Sequence, residues 1–498
     1  MTNLAENMTR PITGNPAILD IDRIPVLEYR DFQATVQQLL ETDGCHCVDY
    51  HAVPFGNILK FFCCIASDTD HRLFVCSHEQ SRSSERSLDS LSVRSPSMHL
   101  YEREIAEQYG IKFPGHPWLK PVRRTDPYPF YTIDGEGLHE VGVGPIHAGV
   151  IEPGYFRFIC HGERVLHLEI KLGFQHRGLE GLMTGASTEI RRAVLAERIA
   201  GDMAAGHSIA HAQLMEALAG LLPSPVLQAE RVIALELERV AMHIGDTAAL
   251  CTDVAYQFGQ VVNEALRTII INTTQQWCGN RFGKGIIRCG GSHYPLTEEV
   301  RRFILDNIRE VDERYLMITR EIFSNSSVLG RFEGTGRISA LQAALIGAVG
   351  MAARSSGIGR DIRRSHPFQA YEIYPYDPVI LVQGDVWARA MLRKEEVERS
   401  LAVITRLAGI AGEGPVPPPD YGRIFRGSCY AISLAEGWRG EIMHSAVTDD
   451  QGNIIHYKIK DPSFHNWMAL ALAVRDQEIS DFPLCNKSFN LSYCGHDL

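Results

Sequence analysis

No pair of cysteines stands in a CxxC arrangement, although twelve cysteines are spread over the 498 residues. Zinc and iron–sulfur centres are normally held by such closely spaced pairs, so no metal cluster bound by this chain alone is expected. Cys45, Cys47, Cys63 and Cys64 lie in alternating apolar runs, where cysteine serves as a small hydrophobe. No apolar stretch reaches the roughly 18–20 residues that a membrane span needs. The best, ILKFFCCIA and ALIGAVGMAA, have the lengths of a core strand and a core helix. The opening MTNLAENMTRPITG has no apolar segment of the secretory kind, so a cytosolic chain is expected. An excess of positive charge is missing as well: the net charge is -11, which argues against nucleic acid as a partner. Neither a GxGxxG nor a phosphate-binding P-loop motif occurs, so the chain is expected to have no nucleotide site of its own.

What is present divides the chain in two. Residues 1–20 read as an irregular start. Asp20 to about Glu41 carries a helix, RDFQATVQQLLETD, with apolar residues at helical spacing. CHCVDYHAV, ILKFFCCIA and RLFVCSH read as strands. After the polar EQSRSSERSLDSLS comes SPSMHLYEREIAEQYGIKFPGHPWLKPV, a helix stopped by Gly110. These make a small α/β domain over residues 20–122. Residues 123–140 have linker composition. Residues 141–498 are expected to form a large, mainly helical domain with peripheral antiparallel sheets. It would open with a meander ending in LGFQHRGLE, return to strands over 424–460 around the turn DDQGN, and close with one helix and an extended tail. The fold class is α+β.

Ala186 to Leu222 reads as one long helix, bounded by Ser187–Thr188 and Pro223. In its middle Gly201, Asp202 and Gly206 interrupt the apolar rhythm, and His207 and His211 follow at i, i+4. A mid-helix glycine costs roughly 1 kcal/mol against alanine, and such misfits gather at functional sites. A kinked core helix packed closely through its glycines accounts for the pattern equally well. Arg198, Asp202 and His207 fall on or near one face of this helix. A buried Arg–Asp pair there would be structural as readily as functional. Arg360, Asp361, Arg363 and His366, in GRDIRRSHPF, form a dense charged cluster beside glycines.

Two stretches resemble a known pair of subunits. SPSMHLYEREIAEQYGIKFPGHPWLKPV resembles the signature of the 30 kDa subunit of respiratory complex I. From about 141 onward the chain resembles the complex I 49 kDa subunit and the large subunits of nickel–iron hydrogenases. The matching blocks include GPIHAG, LGFQHRGLE, LERVAMHIGD, GNRFGKGIIRCGG, SSGIGRDIRRSHPF, EGWRGEI and DFPLCNKSFNLSYCGHDL. The fusion of the two parts is most similar to energy-converting hydrogenases of the hydrogenase-4 and formate hydrogenlyase type. Such hydrogenases hold nickel with four cysteinates, two after ERI and two near the C-terminus. Here Ala200 and Met203 stand at the first pair, and Ser492 and Gly495 at the second, with Cys494 one residue out of place. No nickel–iron centre is therefore expected.

The resemblance implies a large subunit of a membrane-associated, NADH dehydrogenase-like oxidoreductase. With an iron–sulfur partner, similar to the complex I 20 kDa subunit and carrying a 4Fe-4S cluster, it would enclose a cavity where electrons reach a quinone-like acceptor. A ferredoxin-like subunit and integral membrane subunits, complex I-like and antiporter-like, are the other implied partners, with the chain peripheral on the inner face of the cell membrane. In complex I the quinone headgroup lies between a meander histidine and a tyrosine of the ERI-like helix. His147 matches the histidine, Tyr155 falls near a second meander histidine, and the tyrosine aligns with Gly201, leaving Asp202 as the nearest polar replacement. The resemblance thus points to His147, Tyr155, Asp202 and His207 as reacting or proton-carrying groups. It points to His176, Arg177, Arg198, Arg360 and Asp361 as groups lining the cluster or cavity. A non-catalytic coupling subunit and a hydrogenase with atypical ligation are the rival readings. A cavity plugged by Met203 and Tyr493 would favour the coupling role.

Overall fold

The computed structural model describes residues 8–83, 86–148 and 151–498. It is a mixed helix-and-sheet protein, with a small sheet at the N-terminal end and a larger helical part flanked by antiparallel sheets. The first sheet joins β1 (Arg10–Thr13), β6 (Arg72–Ser81), β5 (Ile58–Ser67) and β4 (Cys45–Phe55) in that order, with β3 (Val26–Leu27) parallel to β6. Helices α1 (Tyr29–Leu40) and α2 (His99–Tyr109) belong to this part. Within β5 the run FFCCIA is continuously apolar because both faces of the strand are covered. Phe61, Cys63 and Ile65 pack with Phe32 and Val36 of α1 and with Tyr101 of α2. Phe62, Cys64 and Ala66 join the core that contains Tyr430 and Ile432.

That second face meets a sheet from the far end of the chain, ordered β12 (Ile454–Lys460), β11 (Glu441–Thr448), β10 (Cys429–Glu436) and β2 (Ala17–Asp20). Residues 8–20 are therefore not irregular: β1 completes one sheet and β2 the other. Asn15 fixes the crossing, donating to the carbonyls of His366 and Leu434 and accepting from Leu434 N–H. Residues 1–7 of the expected irregular start lie outside the described residues. The meander is a third sheet, β7 (Leu138–Val143), β8 (Tyr155–His161) and β9 (Arg164–Lys171).

The helical part runs through α3 (Leu179–Thr184), α4 (Glu189–Ala196), α5 (Ala204–Ala219), α6 (Pro225–Asp253), α7 (Gln257–Cys278) and α8 (Glu298–Ile322). Short α9 (Ser326–Phe332), α10 (Ala340–Leu345), α11 (Gly350–Arg354) and α12 (Ile362–Ser365) lead to α13 (Val386–Leu407). α14 (Ser463–Ala473), α15 (Phe482–Phe489) and α16 (Tyr493–Asp497) close the chain. The expected extended tail is thus helical: Pro483 opens α15, Asn490 ends it in the left-handed region, and the Ser492 hydroxyl caps α16 by accepting from Gly495 N–H. Among the described residues no helix is long and apolar enough to cross a membrane.

Candidate functional site

The long helix expected over 186–222 is broken at 197–203 into α4 and α5. Tertiary partners outweigh propensity there. The Asp202 carboxylate takes both terminal nitrogens of Arg439, each at 2.7 Å, and its carbonyl accepts from the Trp438 indole. The start of α5 is capped from α6, where the buried Glu238 carboxyl accepts from Ala205 and Gly206 N–H. Burial, with Asp202 nearby, raises that carboxyl to about 8 against the pull of the two amides. Arg198, Asp202 and His207 therefore do not share a helix face: Arg198 is exposed, Asp202 sits in the turn, and His207 is fully buried.

The C-terminal tail lies against this turn. Arg177 donates to the carbonyls of Arg198, Ile199 and Cys494, bridging turn and tail. His176 meets the Asp497 carbonyl at 2.8 Å, while the Asp497 carboxylate accepts from Gly173 and Gln175 N–H. The four positions that the resemblance sets against the hydrogenase cysteines, Ala200, Met203, Ser492 and Gly495, supply no thiolate, and the space around them is filled. Met203 is fully buried and packs on Gly437, where an added Cβ would lie 2.6 Å from its sulfur. A Cβ at Gly495 would lie 2.5 Å from Asp461 Oδ2. The donor set and the space do not fit a nickel–iron centre held by four thiolates.

His147 is half-buried and meets the Tyr493 hydroxyl of the tail at 3.4 Å, with Phe156 beneath it. Burial lowers its proton affinity. Tyr155 is not brought to it. Strand alternation turns Phe156 toward His147 and Tyr155 to the opposite face, against Phe130. Arg360 and Asp361 also part company with this group. Arg360 reaches Asp68 of the N-terminal part and the Ala348 carbonyl. Asp361 caps α12 and lies inside a fully buried network with Arg354 and Arg363, which also grips Glu396 and Glu436.

His207 is one link of a buried chain that the sequence reading missed. Asp461 Oδ2 meets His207 Nε2 at 3.0 Å; His207 Nδ1 meets His444 Nε2 at 3.0 Å. His444 Nδ1 meets the Tyr457 hydroxyl at 2.8 Å, which meets His211 Nδ1 at 2.9 Å; His211 Nε2 ends on Glu189 at 2.6 Å. Three neutral imidazoles and one phenol supply four protons to these five contacts, so the chain has room for one further proton. Burial, then the neighbouring His207 and His211, push His444 well down, so the charge does not rest there. Burial pushes the Asp461 carboxyl up, yet His207 and Arg439 hold it below its usual range. Only His207 and His211 were legible beforehand. The available signal was a histidine inside the apolar EIMHSAVT strand.

Comparisons with known proteins agree with this architecture. The family model "Respiratory-chain NADH dehydrogenase, 30 Kd subunit" matches residues 27–131, and that of the "49 Kd subunit" matches residues 253–425. A carbon monoxide-induced hydrogenase of Rhodospirillum rubrum is 30% identical over 361 residues, 71% of this chain and 97% of that protein. Hydrogenase-4 component G of Escherichia coli is 25% identical over 82% of this chain and 75% of its own length. A chain of the membrane-bound sulfane sulfur reductase, an archaeal respiratory membrane complex, shares the fold at a TM-score of 0.66, with 23% identity over 74% of this chain and all of that one. The chain is a complex I-like oxidoreductase subunit of the large-subunit class. It belongs to the family that unites fused 30 kDa–49 kDa complex I subunits with the large subunits of membrane-bound hydrogenases.

Proposed function

We propose that this chain is the large subunit of a membrane-associated complex I-like oxidoreductase that works without a nickel–iron centre. It would shape, with an iron–sulfur partner, a site for a quinone-like acceptor. The observation that carries the reading is the His147–Tyr493 pair at 3.4 Å. A quinone carbonyl needs hydrogen-bond donors, and the tyrosine missing at Gly201 has a counterpart that arrives from the tail. Phe156 and Trp467 offer the apolar walls, and the exposed Ile146 and Ile151 beside His147 suit a face covered by a partner.

Electrons would come from the partner's cluster, with Arg177 and His176 at the rim. Arg177 is fixed by its three carbonyls, and a fixed cation beside a cluster raises its potential. The buried chain from Glu189 to Asp461 would hold the proton that charge transfer draws in. Asp461 abuts the tail at Gly495, two residues from Tyr493. Ion movement would belong to the membrane subunits that the family resemblance implies.

The test is the purified membrane complex, with elemental analysis for nickel and iron and quinone reduction by a low-potential donor. Iron without nickel is expected. Turnover should fall about tenfold or more in His147→Ala and in Tyr493→Phe, since each removes a donor to a carbonyl gaining charge. Stoichiometric nickel with hydrogen evolution would overturn the reading. A coupling role without chemistry is the second reading. It is favoured by the burial of Met203 and Tyr493, the latter 5% exposed, and iron with no turnover on any quinone would select it.

A further inference from the structure

A cavity of about 490 Å³ lies at the junction of the N-terminal part and the helical part, and shares the Trp467 ring with the His147 group. It is walled by α2, the connecting segment from Pro117 to Ile133, β9, α14 and His496. Its charge is opposite to that of the molecule. In a chain of net charge -11, the lining carries Arg103, Lys120, Arg124, Lys171 and Arg475 against a single carboxylate, Glu169.

That carboxylate is already engaged, accepting from Lys120 Nζ at 3.3 Å and from Tyr131 N–H at 3.0 Å. Arg103 is buried, and among the described residues its guanidinium donates to the Lys120 and Pro121 carbonyls and to no carboxylate. Burial accordingly lowers Lys120 to about 7 and Arg103 to about 10. His167 carries the most direct sign of a missing acceptor. Arg475 donates to its Nδ1 at 3.4 Å, which leaves the ring proton on Nε2, and that buried atom has no partner. Flat walls stand beside these cations: Lys120 Nζ lies 3.8 Å from the Trp118 ring centre and 5.2 Å from that of Tyr128.

We propose that this cavity binds a flat organic anion of the aromatic-carboxylate class. The ring would lie among Trp118, Tyr128 and Tyr131, and the acid group would be received by Lys120, Lys171 and His167 Nε2–H. The volume falls in the ordinary range for small-molecule sites, about 300–1,000 Å³. A buried cation pays a desolvation penalty that a paired anion relieves, and the proton on His167 would gain its acceptor. Because the walls come from both halves of the chain, the ligand would also tie the halves together.

The test is calorimetric titration of the purified full-length chain with 1-naphthoate, with neutral 1-naphthalenemethanol as control. Saturable one-to-one binding of the naphthoate is expected, at least about tenfold tighter than the alcohol, with a rise in melting temperature. Lys171→Gln, which gives up an exposed hydrogen bond to the Thr125 carbonyl, should weaken binding about tenfold while changing the melting temperature of the free chain little. Ala471→Phe, which fills the cavity, should abolish binding. Equal affinity for acid and alcohol, no saturable binding at millimolar probe, or naphthoate binding untouched by Lys171→Gln would each overturn the proposal.

Discussion

Replacing Gly495 by alanine probes how tightly the tail packs against Asp461. The added Cβ would lie 2.5 Å from Asp461 Oδ2, 2.6 Å from Cγ and 2.9 Å from Oδ1. Ordinary contact begins near 3.5 Å, so carboxylate and tail must separate by roughly 1 Å. Neither is free to move. Asp461 holds His207 at 3.0 Å and accepts from Ser463 N–H at 2.7 Å. The tail is tied through Arg177 to the Cys494 carbonyl and through Asp497 to Gly173 and Gln175. A hydrogen bond to a charged group contributes about 1.5–3 kcal/mol, and two such bonds are at risk, so the expected loss is about 3–6 kcal/mol. Urea unfolding of the purified chain, followed by tryptophan fluorescence, measures it. Gly201→Ala is the control, because a Cβ there meets nothing within 4 Å and should change stability by less than about 0.5 kcal/mol. If Gly495→Ala is as neutral as Gly201→Ala, the packing of Asp461 against the tail is wrong. With it would fall the argument that a cysteine ligand has no room at 495.

Three further outcomes are expected. Tyr457→Phe keeps the ring but removes the hydroxyl between His444 and His211. Leaving two buried ring nitrogens unpaired, at about 1–3 kcal/mol each, should cost about 2–6 kcal/mol in urea unfolding. In the assembled complex the same variant should slow turnover by cutting the proton chain; full activity would remove the chain from the mechanism. Glu238, raised to about 8 in the fold, binds its proton more tightly there than in the unfolded chain. Its contribution to stability is therefore greatest below about pH 4.5 and is lost as pH rises toward 8. Glu238→Gln should flatten that decline, and an unchanged pH–stability profile would contradict the assignment. Asp202→Ala leaves the buried Arg439 guanidinium without its carboxylate. It should destabilise the chain by about 3 kcal/mol in the same denaturation assay, and a change below about 0.5 kcal/mol would show that the pair is not formed.

Local pattern was a reliable guide where one local rule decided the outcome. The runs around Cys63, Phe74 and Phe158 are strands because their alternation has a core on at least one side. Gly110 ends α2 in the left-handed region that its lack of a Cβ permits. Pattern misled wherever a distant partner decided. The break after Ala196 is made by Arg439 and Glu238, both far along the chain. Residues 8–20 become strands only because β6 and β10 offer them edges. The pairing of His147 was out of reach for the same reason, since Tyr493 lies 346 positions away.

The sequence by itself determined the kind of molecule this is. Its ordered family blocks, its strand and helix periodicities and the four positions without thiolates are all matters of residue type at fixed spacing. Only the tertiary structure decided what packs around Ala200, Met203, Ser492 and Gly495 and which polar groups meet. Asp461, His207, His444, Tyr457, His211 and Glu189 come from α4, α5, β11, β12 and the start of α14. No spacing rule relates them. They meet because each, buried away from water, must find a hydrogen-bond partner, and the packing of helix against sheet sets which partner lies within 3 Å.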